Sequence, residues 1–149
     1  MFETPMTVVG RIITDPRRRV VADQEVISFR VASNSRRRTA DGTWEAGNSL
    51  FITVNCWGKL VTGVGAGLYK GAAVIAVGTV HTSEYEDRDG AKRSSLEMRA
   101  TAVGPDLARV IARIEQPSQP QNSPAADATV DAADGQEADS EDLVLGVPA

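Results

Sequence analysis

Apolar and polar residues alternate along much of residues 1–104, and this period of two constrains the fold more than any other feature of the chain. Around residue 29, for example, Ile27, Phe29 and Val31 are apolar, whereas the intervening Ser28 and Arg30 are polar. Because successive side chains of a strand point to opposite faces, the pattern predicts strands with one buried face. Residues 1–104 are therefore expected to form an all-β domain.

Turn residues and one helical stretch divide this region. Asp41-Gly42 and Asp89-Gly90 are typical of hairpin loops, and the second pair joins the runs 73–85 and 93–103. Between Cys56 and Gly71 apolar residues recur every three or four positions, which predicts a short helix. Three glycines within it each cost about 1 kcal/mol relative to alanine, so packing must support it. The apolar residues are Leu60, Val61, Val64 and Leu68, and the glycines are Gly63, Gly65 and Gly67.

The resulting order of elements is strand, strand, strand, helix, strand, strand. This is the order of the OB fold, a five-stranded Greek-key barrel. Gly10 and Gly78, each inside a predicted strand, fit the bulges or close backbone approaches that a tightly curved barrel needs. The sequence therefore predicts an all-β OB-fold barrel with one short helix.

Charge and composition divide the chain near Gln116. Residues 1–116 contain all 16 Lys and Arg residues and 13 acidic residues, a net charge of +3. Residues 117–149 contain 7 acidic residues and no basic residue, a net charge of −7, which gives the −4 of the whole chain. This second segment is rich in Pro, Gln, Ala and Asp, and its apolar surface is too small to offset the entropy of ordering it. We expect a mildly basic domain over 1–116 and a disordered acidic tail over 117–149.

The third predicted strand carries the most informative pattern. Leu50, Ile52, Val54 and Cys56 share one of its faces, and Phe51, Thr53, Asn55 and Trp57 share the other. If the aliphatic face is buried, two large aromatic rings stand on the solvent side. Nucleobases stack on exposed aromatic rings with about 1–3 kcal/mol per base, whatever the base. Alternatively, a loop or a partner subunit covers the two rings.

Basic residues favour the first interpretation. Arginine triplets are expected in or beside loops, and further basic residues flank the Asp89-Gly90 turn, where Tyr85 also lies. In an OB fold these loops border the face along which a nucleic-acid backbone runs. An arginine run alone is more often a solvated edge, so only its combination with the aromatic face predicts a site. The predicted phosphate contacts are Arg11, Arg17, Arg19, Arg36, Arg37, Arg38, Lys59, Arg88 and Lys92.

Other classes of function receive little support. One cysteine, Cys56, and one histidine, His81, are too few for an internal disulfide or a zinc ligand set. No histidine with a nucleophile partner, phosphate-cradling glycine loop or carboxylate cluster is recognisable, so no enzyme activity, metal or cofactor is expected. No apolar stretch of about 18 residues and no signal peptide are recognisable, which predicts a cytoplasmic, nucleoid-associated protein with no membrane span.

Several short motifs follow one another along the chain: Gly10-Arg11, Asp15-Pro16, the Ile-Ser-Phe-Arg-Val-Ala-Ser stretch from Ile27, Trp57-Gly-Lys-Leu60, and Gly78 followed by Tyr85-Glu-Asp-Arg-Asp-Gly90. Together they resemble the bacterial single-stranded DNA-binding protein (SSB) family. They occur in the family's order and spacing across residues 5–103, about two-thirds of the chain. The resemblance implies a homotetramer that wraps single-stranded DNA during replication, recombination or repair, with Phe51, Trp57 and Tyr85 at base-stacking positions.

Three departures from the family pattern stand out. Arg36-Arg37-Arg38 replaces a further stacking tryptophan, a role that Trp44 either takes over or does not, and Thr53 stands where a phosphate-contacting arginine is usual. The chain ends Gly146-Val-Pro-Ala149 rather than Pro-Phe, which puts in doubt the recruitment of partner proteins through the tail. These departures suggest an auxiliary paralogue, and the richness in Ala, Val and Arg suggests the actinobacterial type.

Two questions stay open from the sequence. Residues 105–115 fit a helix opened by Pro105-Asp106 but also alternate as a strand would, and in either form we expect an oligomer contact. The aromatic face also fits a β-barrel module that binds protein, or a site for single-stranded RNA, because stacking and charge discriminate poorly against the 2′-hydroxyl group.

Overall fold

The computed structural model describes residues 1–117 and has one helix among six strands within them. The elements follow one another in the predicted order once the short strand β2 is set aside. They are β1 (Thr4–Ile12), β2 (Arg17–Val21), β3 (Gln24–Arg38), β4 (Trp44–Trp57), α1 (Lys59–Gly67), β5 (Ala73–Glu86) and β6 (Lys92–Pro105). The prediction of an OB-type barrel with one short helix is confirmed.

The strand count differs from the predicted five because β2 was expected to be a loop. Its residues pair antiparallel with β3, from Val21 opposite Gln24 to Arg17 opposite Ser28. The two residues between the strands, Ala22 and Asp23, have φ angles of 49° and 64°, as a tight two-residue hairpin requires. An Ala-Asp pair carries no glycine or asparagine, so the sequence gives no turn signal there.

The strands form one sheet in the order β1-β5-β6-β4-β3-β2, and a further pairing of β1 with β3 closes it into a barrel. Arg11 and Ile12 of β1 pair with Ala32 and Val31 of β3 to make this closure. All pairings are antiparallel except that of β4 with β6. β4 therefore lies in the middle of the sheet, between β3 and β6.

Both glycines predicted to allow strand curvature lie where the backbone crowds. A Cβ atom on Gly10 would collide with the Ala32 carbonyl oxygen of β3, where the barrel closes. A Cβ atom on Gly78 would collide with the Arg99 carbonyl oxygen, and the β5–β6 register shifts between Val77 and Gly78. Gly10 thus permits a close approach, and Gly78 lies at a bulge.

The barrel interior is filled by the inward residues of the strands. Phe29, Ile52 and Met98 are among the largest side chains with almost no exposed surface. The helix α1 closes one end of this core with Val61 and Val64. The packing of these two side chains supports a helix that its three glycines would otherwise weaken.

Residues 105–115 form neither of the two predicted structures. β6 ends at Pro105, one turn follows in which the backbone N–H groups of Arg109 and Val110 donate to the Asp106 carbonyl oxygen, and no regular element comes after it. The Asp106 carboxylate also accepts a hydrogen bond from the Ala108 N–H at 3.1 Å, a local contact that competes with continuing a helix. Leu107 and Ile111 are exposed, and the proposed oligomer contact stays a prediction.

The predicted domain boundary at residue 116 and the acidic tail over 117–149 stay predictions. All but the first residue of that tail lie outside the described part of the chain. No helix within residues 1–117 is long and apolar enough to cross a membrane.

Candidate nucleic-acid interface

The two faces of β4 differ as the sequence predicted. Ile52, Val54 and Cys56 point into the barrel and have no exposed surface, whereas 48% of Phe51 is exposed and Trp57 is half-buried. Leu50 is an exception on the inner side: it is exposed, because the β3–β4 hairpin extends beyond the barrel there. The aromatic rings of the outer face are therefore not sealed inside the hydrophobic core.

An arginine lies over each of these two rings. The guanidinium carbon of Arg30 is 6.0 Å from the centre of the Phe51 ring, and that of Arg99 is 5.4 Å from the centre of the Trp57 ring. Guanidinium groups at such distances are attracted to the negative face of an aromatic ring. The sequence analysis did not assign either arginine to the site. The signal for Arg30 was available, because it stands between the buried residues Phe29 and Val31 and must therefore point outward.

A chain of polar side chains crosses the face between the two rings. The Ser28 hydroxyl donates to the Asn55 side-chain oxygen at 2.6 Å, and the Asn55 amide donates to the Glu97 carboxylate at 2.9 Å. Asn55, which the sequence placed in water, is only 8% exposed because these neighbours surround it. The interactions fix the Glu97 carboxylate, which sequence reasoning also missed, on the same outer face.

A groove of about 720 Å³ follows this face across β2, β3, β4 and β6, and we call it the β2–β4 groove. Among its lining residues four are basic and two are acidic, so it carries a net positive charge. Arg17 and Arg19 enter it because they pair with Ser28 and Val26 on the outer side of β3. The charged lining residues are Asp15, Arg17, Arg19, Arg30, Lys70 and Glu97.

Arg18 lies on the opposite side of β2 from its two neighbours. Its register partner is the buried Ile27, and its guanidinium group lies so close to Gly65 of α1 that a Cβ atom there would be 2.5 Å from Nη2. Arg17 and Arg19, both predicted phosphate contacts, thus lie on one face of β2, and Arg18 lies on the other.

The basic triplet forms the end of β3, directly before the hairpin loop, so it lies beside a loop rather than in one, which is one of the two predicted placements. Arg36, Arg37 and Arg38 pair with Ala46, Glu45 and Trp44 of β4. Arg37 donates to the Glu45 carboxylate at 2.7 Å, and alternation places it on the face opposite Arg36 and Arg38.

Tyr85 lies in β5, opposite Arg93 of β6, and is half exposed. His81 of β5 is opposite Glu97 and therefore lies on the outer face. Because every second residue of a strand points to the same side, Tyr85, four residues after His81, lies on that face as well. Arg88 belongs to the hairpin turn beyond it. The structure thus places Tyr85 on the same face as the polar chain, but neither it nor Arg88 lines the β2–β4 groove.

The remaining predicted phosphate contacts are dispersed. Lys59 begins α1 and Lys92 begins β6, and neither lines the β2–β4 groove. Arg11 donates to the Gly71 carbonyl oxygen at 3.0 Å, beside the barrel closure. The structure therefore brings only Arg17 and Arg19, of the nine predicted residues, into this groove.

The turn of the β5–β6 hairpin is held by Asp87. Its carboxylate accepts hydrogen bonds from the Arg93 guanidinium at 2.9 Å and from the backbone N–H groups of Ala91 and Asp89. The Arg93 interaction is the main cause of a pKa of Asp87 below the ordinary value. The hairpin that carries Tyr85 and Arg88 thus has a locally organised tip.

Metal chemistry finds no support in the described residues. Within residues 1–117 no three His, Cys, Asp or Glu side chains are grouped to hold an ion. The only cysteine of the chain, Cys56, is buried, and desolvation raises the pKa of its thiol to about 12.

Comparison with known proteins relates the chain to one family. The model of the single-strand binding protein family matches residues 4–106. A single-stranded DNA-binding protein of Corynebacterium glutamicum is 39% identical over 125 residues, which cover 81% of this chain and 55% of the relative. The chain therefore spans about half the length of that curated relative.

Two solved structures are similar as well. The second single-stranded DNA-binding protein (SSBb) from Mycobacterium smegmatis is 55% identical, with a TM-score of 0.59, and the match covers 77% of this chain and 100% of that one. The small single-stranded DNA-binding protein from Streptomyces coelicolor is 30% identical, with a TM-score of 0.65 and coverage of 74% and 100%. Each match thus includes the whole of the solved chain and about three-quarters of this one.

Proposed function

The chain belongs to the single-strand binding protein family, and on that premise we propose that it binds single-stranded DNA without sequence preference and catalyses no reaction. Its similarity to proteins of Corynebacterium, Mycobacterium and Streptomyces confirms the predicted actinobacterial type. The observation that carries the proposal is the exposed outer face of β4, where Phe51 is half exposed beside a basic groove.

The proposed binding combines two interactions. Bases stack on the outer-face rings, with about 1–3 kcal/mol per base irrespective of its identity. Basic side chains neutralise phosphates and release counterions, which makes affinity fall as salt rises. The proposed stacking residues are Phe51, Trp57 and Tyr85, and Arg17, Arg19 and Arg30 are the best-placed phosphate contacts, followed by Arg11, Arg36, Arg37, Arg38, Lys59, Arg88 and Lys92.

We also propose that the chain assembles with copies of itself, as a homotetramer. β1 pairs with β5 along Thr4–Arg11, but on its other side only Arg11 and Ile12 pair with β3. In the described chain, most of the second edge of β1 is thus open to another strand. Val9 and its register partner Ile75 expose apolar surface beside that edge.

In this proposal residues 1–116 form the binding and oligomerisation domain, and 117–149 form the acidic tail. The protein acts in the cytoplasm, on single strands exposed during replication, recombination or repair. Being anionic, the tail competes with DNA for the basic groove. Removing 117–149 should then raise affinity at low salt, and an unchanged affinity would count against this competition.

Titration with dT oligomers of increasing length tests the proposal. Intrinsic tryptophan fluorescence and the anisotropy of a labelled oligomer are followed together, with a duplex of equal length as control. We expect saturable quenching by dT, little binding of the duplex, and an affinity that rises with length until the site is filled. Absence of dT binding at low salt would refute the proposal and favour a protein-binding role. Equal affinity for the matching rU oligomers would extend it to RNA.

A further inference from the structure

Glu97 is an acidic residue on a surface that otherwise suits a polyanion. It lines the β2–β4 groove, in which basic residues outnumber acidic ones by four to two. Its register partner in β4 is Thr53, a residue of the outer face, so the carboxylate lies one strand away from the row of aromatic rings. A negative charge at this point repels phosphates. Charge neutralisation therefore does not account for Glu97.

The arginines that cross the same face are directed at aromatic rings rather than at this carboxylate. Arg30 lies over Phe51, and Arg99 lies over Trp57. The ion pairs of residues 1–117 do not include Glu97. Its carboxylate thus keeps its capacity to accept hydrogen bonds from a ligand.

The orientation of the carboxylate is fixed by the polar chain that starts at Ser28. An ionised carboxylate can only accept, so Asn55 must turn its amide nitrogen toward Glu97, at 2.9 Å. The Asn55 oxygen then faces Ser28, whose hydroxyl donates to it at 2.6 Å. Within residues 1–117 only Oε1 of Glu97 receives such a bond. Oε2 is therefore an acceptor beside the groove, on a carboxylate that is held by a buried neighbour.

A fixed acceptor of this kind discriminates between pyrimidine bases. Cytosine carries an amino group at C4, which donates hydrogen bonds, whereas thymine and uracil carry a carbonyl oxygen there, which only accepts. Glutamate and aspartate are the side chains that accept from the cytosine amine in protein–DNA interfaces. A carboxylate that faces the thymine or uracil oxygen is repelled, because both groups are acceptors.

A base stacked on Phe51 has its edge within reach of Glu97. Glu97 is opposite Thr53, and Phe51 precedes Thr53 by two residues on the same face. Diagonal neighbours of this kind in a sheet are about 7–8 Å apart, a distance that rings and long side chains can span.

The distribution of charge across the face determines which side of the strand meets Glu97. Arg17 and Arg19 of β2 and Arg30 of β3 line the groove on one side of β4, and Glu97 of β6 lines it on the other. Phosphates are attracted to the first side and repelled from the second. The backbone of a bound strand is thus expected over β2 and β3, with base edges turned toward β6.

We propose that Glu97 is a specificity-determining residue, which favours cytosine over thymine at one nucleotide position by accepting a hydrogen bond from the cytosine amine. This inference rests on the proposed binding of single-stranded DNA and deepens it. A strand of mixed sequence can shift its register until a cytosine occupies that position. Binding as a whole therefore stays tolerant of sequence, and the preference selects the register.

Glu97→Gln tests the proposal because it reverses the hydrogen-bonding character of this point. The introduced amide must use its oxygen for Asn55, so it presents its amino group to the base. That group donates to the uracil carbonyl oxygen and opposes the cytosine amine. The ratio of dC to dU affinity should therefore fall about 2- to 12-fold from its wild-type value, the equivalent of one net hydrogen bond.

The two affinities are measured by anisotropy of labelled dC and dU oligomers of equal length, at about pH 8, where cytosine is unprotonated. Uracil replaces thymine because it lacks the methyl group and so resembles cytosine more closely. Differences in stacking between the two bases occur in wild type and variant alike, and they cancel when the two ratios are compared.

Asp15→Asn is the matched control, since Asp15 is the other acidic residue that lines the groove. It removes the same charge and should raise the dC and dU affinities by the same factor. If the dC-to-dU ratio is unchanged in Glu97→Gln, or changes equally in Asp15→Asn, the role of Glu97 is refuted while the proposed function stands. If the wild type binds neither oligomer, the proposed function itself fails.

A second test leaves the protein unchanged. A single cytosine is moved stepwise through a dU oligomer just long enough to fill the site, and the wild-type affinity is measured for each position. Affinity should rise when the cytosine occupies one particular position for each subunit that the oligomer contacts. It should fall back when that cytosine is replaced by N4,N4-dimethylcytosine, which has no amine hydrogen to donate. Equal affinity at every position would overturn the inference.

Discussion

The inner and outer sides of β4 come from alternating residues of one strand, but their side chains differ in burial and in what surrounds them. On the inner side, Ile52, Val54 and Cys56 are completely buried and fill the barrel. On the outer side, Phe51 leaves nearly half its surface in water, with Arg30 above its ring. Burial in the core accounts for the inner side, whereas the outer side leaves aromatic surface exposed beside charged side chains. Substitutions on the two sides should therefore be separable by what they change.

The largest effect is expected on the inner side. Ile52→Ala should lower the free energy of unfolding by about 2–5 kcal/mol, because it leaves a cavity among fully buried neighbours. The dT affinity of the folded fraction should stay within about twofold of the wild-type value. Denaturant unfolding at matched protein concentration measures the first quantity, and titration of the same sample measures the second. A loss of dT affinity without a loss of stability would contradict the claim that the inner side serves stability and the outer side serves binding.

The next effect concerns charge on the outer face. Replacing both Arg17 and Arg19 by alanine should reduce the slope of log affinity against log salt by about 1.4, since single strands contribute about 0.7 per neutralised phosphate. Arg18→Ala is the control on the same strand, because Arg18 lies over Gly65 of α1. Binding isotherms at several salt concentrations give the slopes. A larger change for Arg18→Ala than for the double variant would show that the face assignment is wrong.

A substitution of Glu97 on the outer face should strengthen the binding of dT, in contrast to the arginine substitutions. Glu97→Gln keeps an oxygen that accepts the Asn55 hydrogen bond but removes a negative charge from a surface proposed to bind a polyanion. Affinity for dT should rise about fivefold or less, because one charge pair at about 4 Å in water is worth about 1 kcal/mol. The gain should shrink as salt screens it. Weaker binding of dT by this variant would instead mean that the carboxylate itself contacts thymine.

Near neutral pH the titration of Cys56 should have the smallest effect of all, and this residue tests the inner side chemically. Burial raises the pKa of its thiol to about 12 from an ordinary value of 9.0, so the folded protein retains this proton where the unfolded chain loses it. Stability should therefore fall as pH rises from about 9 toward 12. At pH 8 a thiol reagent should modify the denatured protein at once and the folded protein slowly. Equally fast modification of both states would show that the inner face of β4 is open to water.

The sequence pattern predicted those strands and that helix whose structure depends mainly on neighbouring residues. The alternation in β4 separated Ile52 and Val54 from Phe51, and the helical spacing of Val61 and Val64 located α1 despite its glycines. The strand β2 was missed because Ala22-Asp23 lacks the glycine or asparagine that usually marks a two-residue hairpin turn, although both residues have positive φ angles. Here the pairing with β3 overrides the local preference.

The rest of the site depends on pairings between distant segments. Arg99 reaches the Trp57 ring, and Glu97 reaches Asn55, only because β6 lies parallel to β4 in one register, with Asn55 opposite Arg99. No pattern within β6 indicates which strand it will neighbour. The sequence placed the arginines at the end of β3 in or beside a loop, and only the pairing of β3 with β4 decides between the two, because it sets the length of the hairpin.

The central claim is that the outer face of β4 receives unpaired bases, and the dT affinity of Phe51→Ala tests it most directly. Because Phe51 is half exposed and outside the core, this variant should retain the wild-type melting temperature within a few degrees. Its dissociation constant for dT should rise about 5- to 150-fold, and the salt slope should stay the same. A Phe51→Ala protein that is equally stable and binds dT as tightly as the wild type would contradict the account.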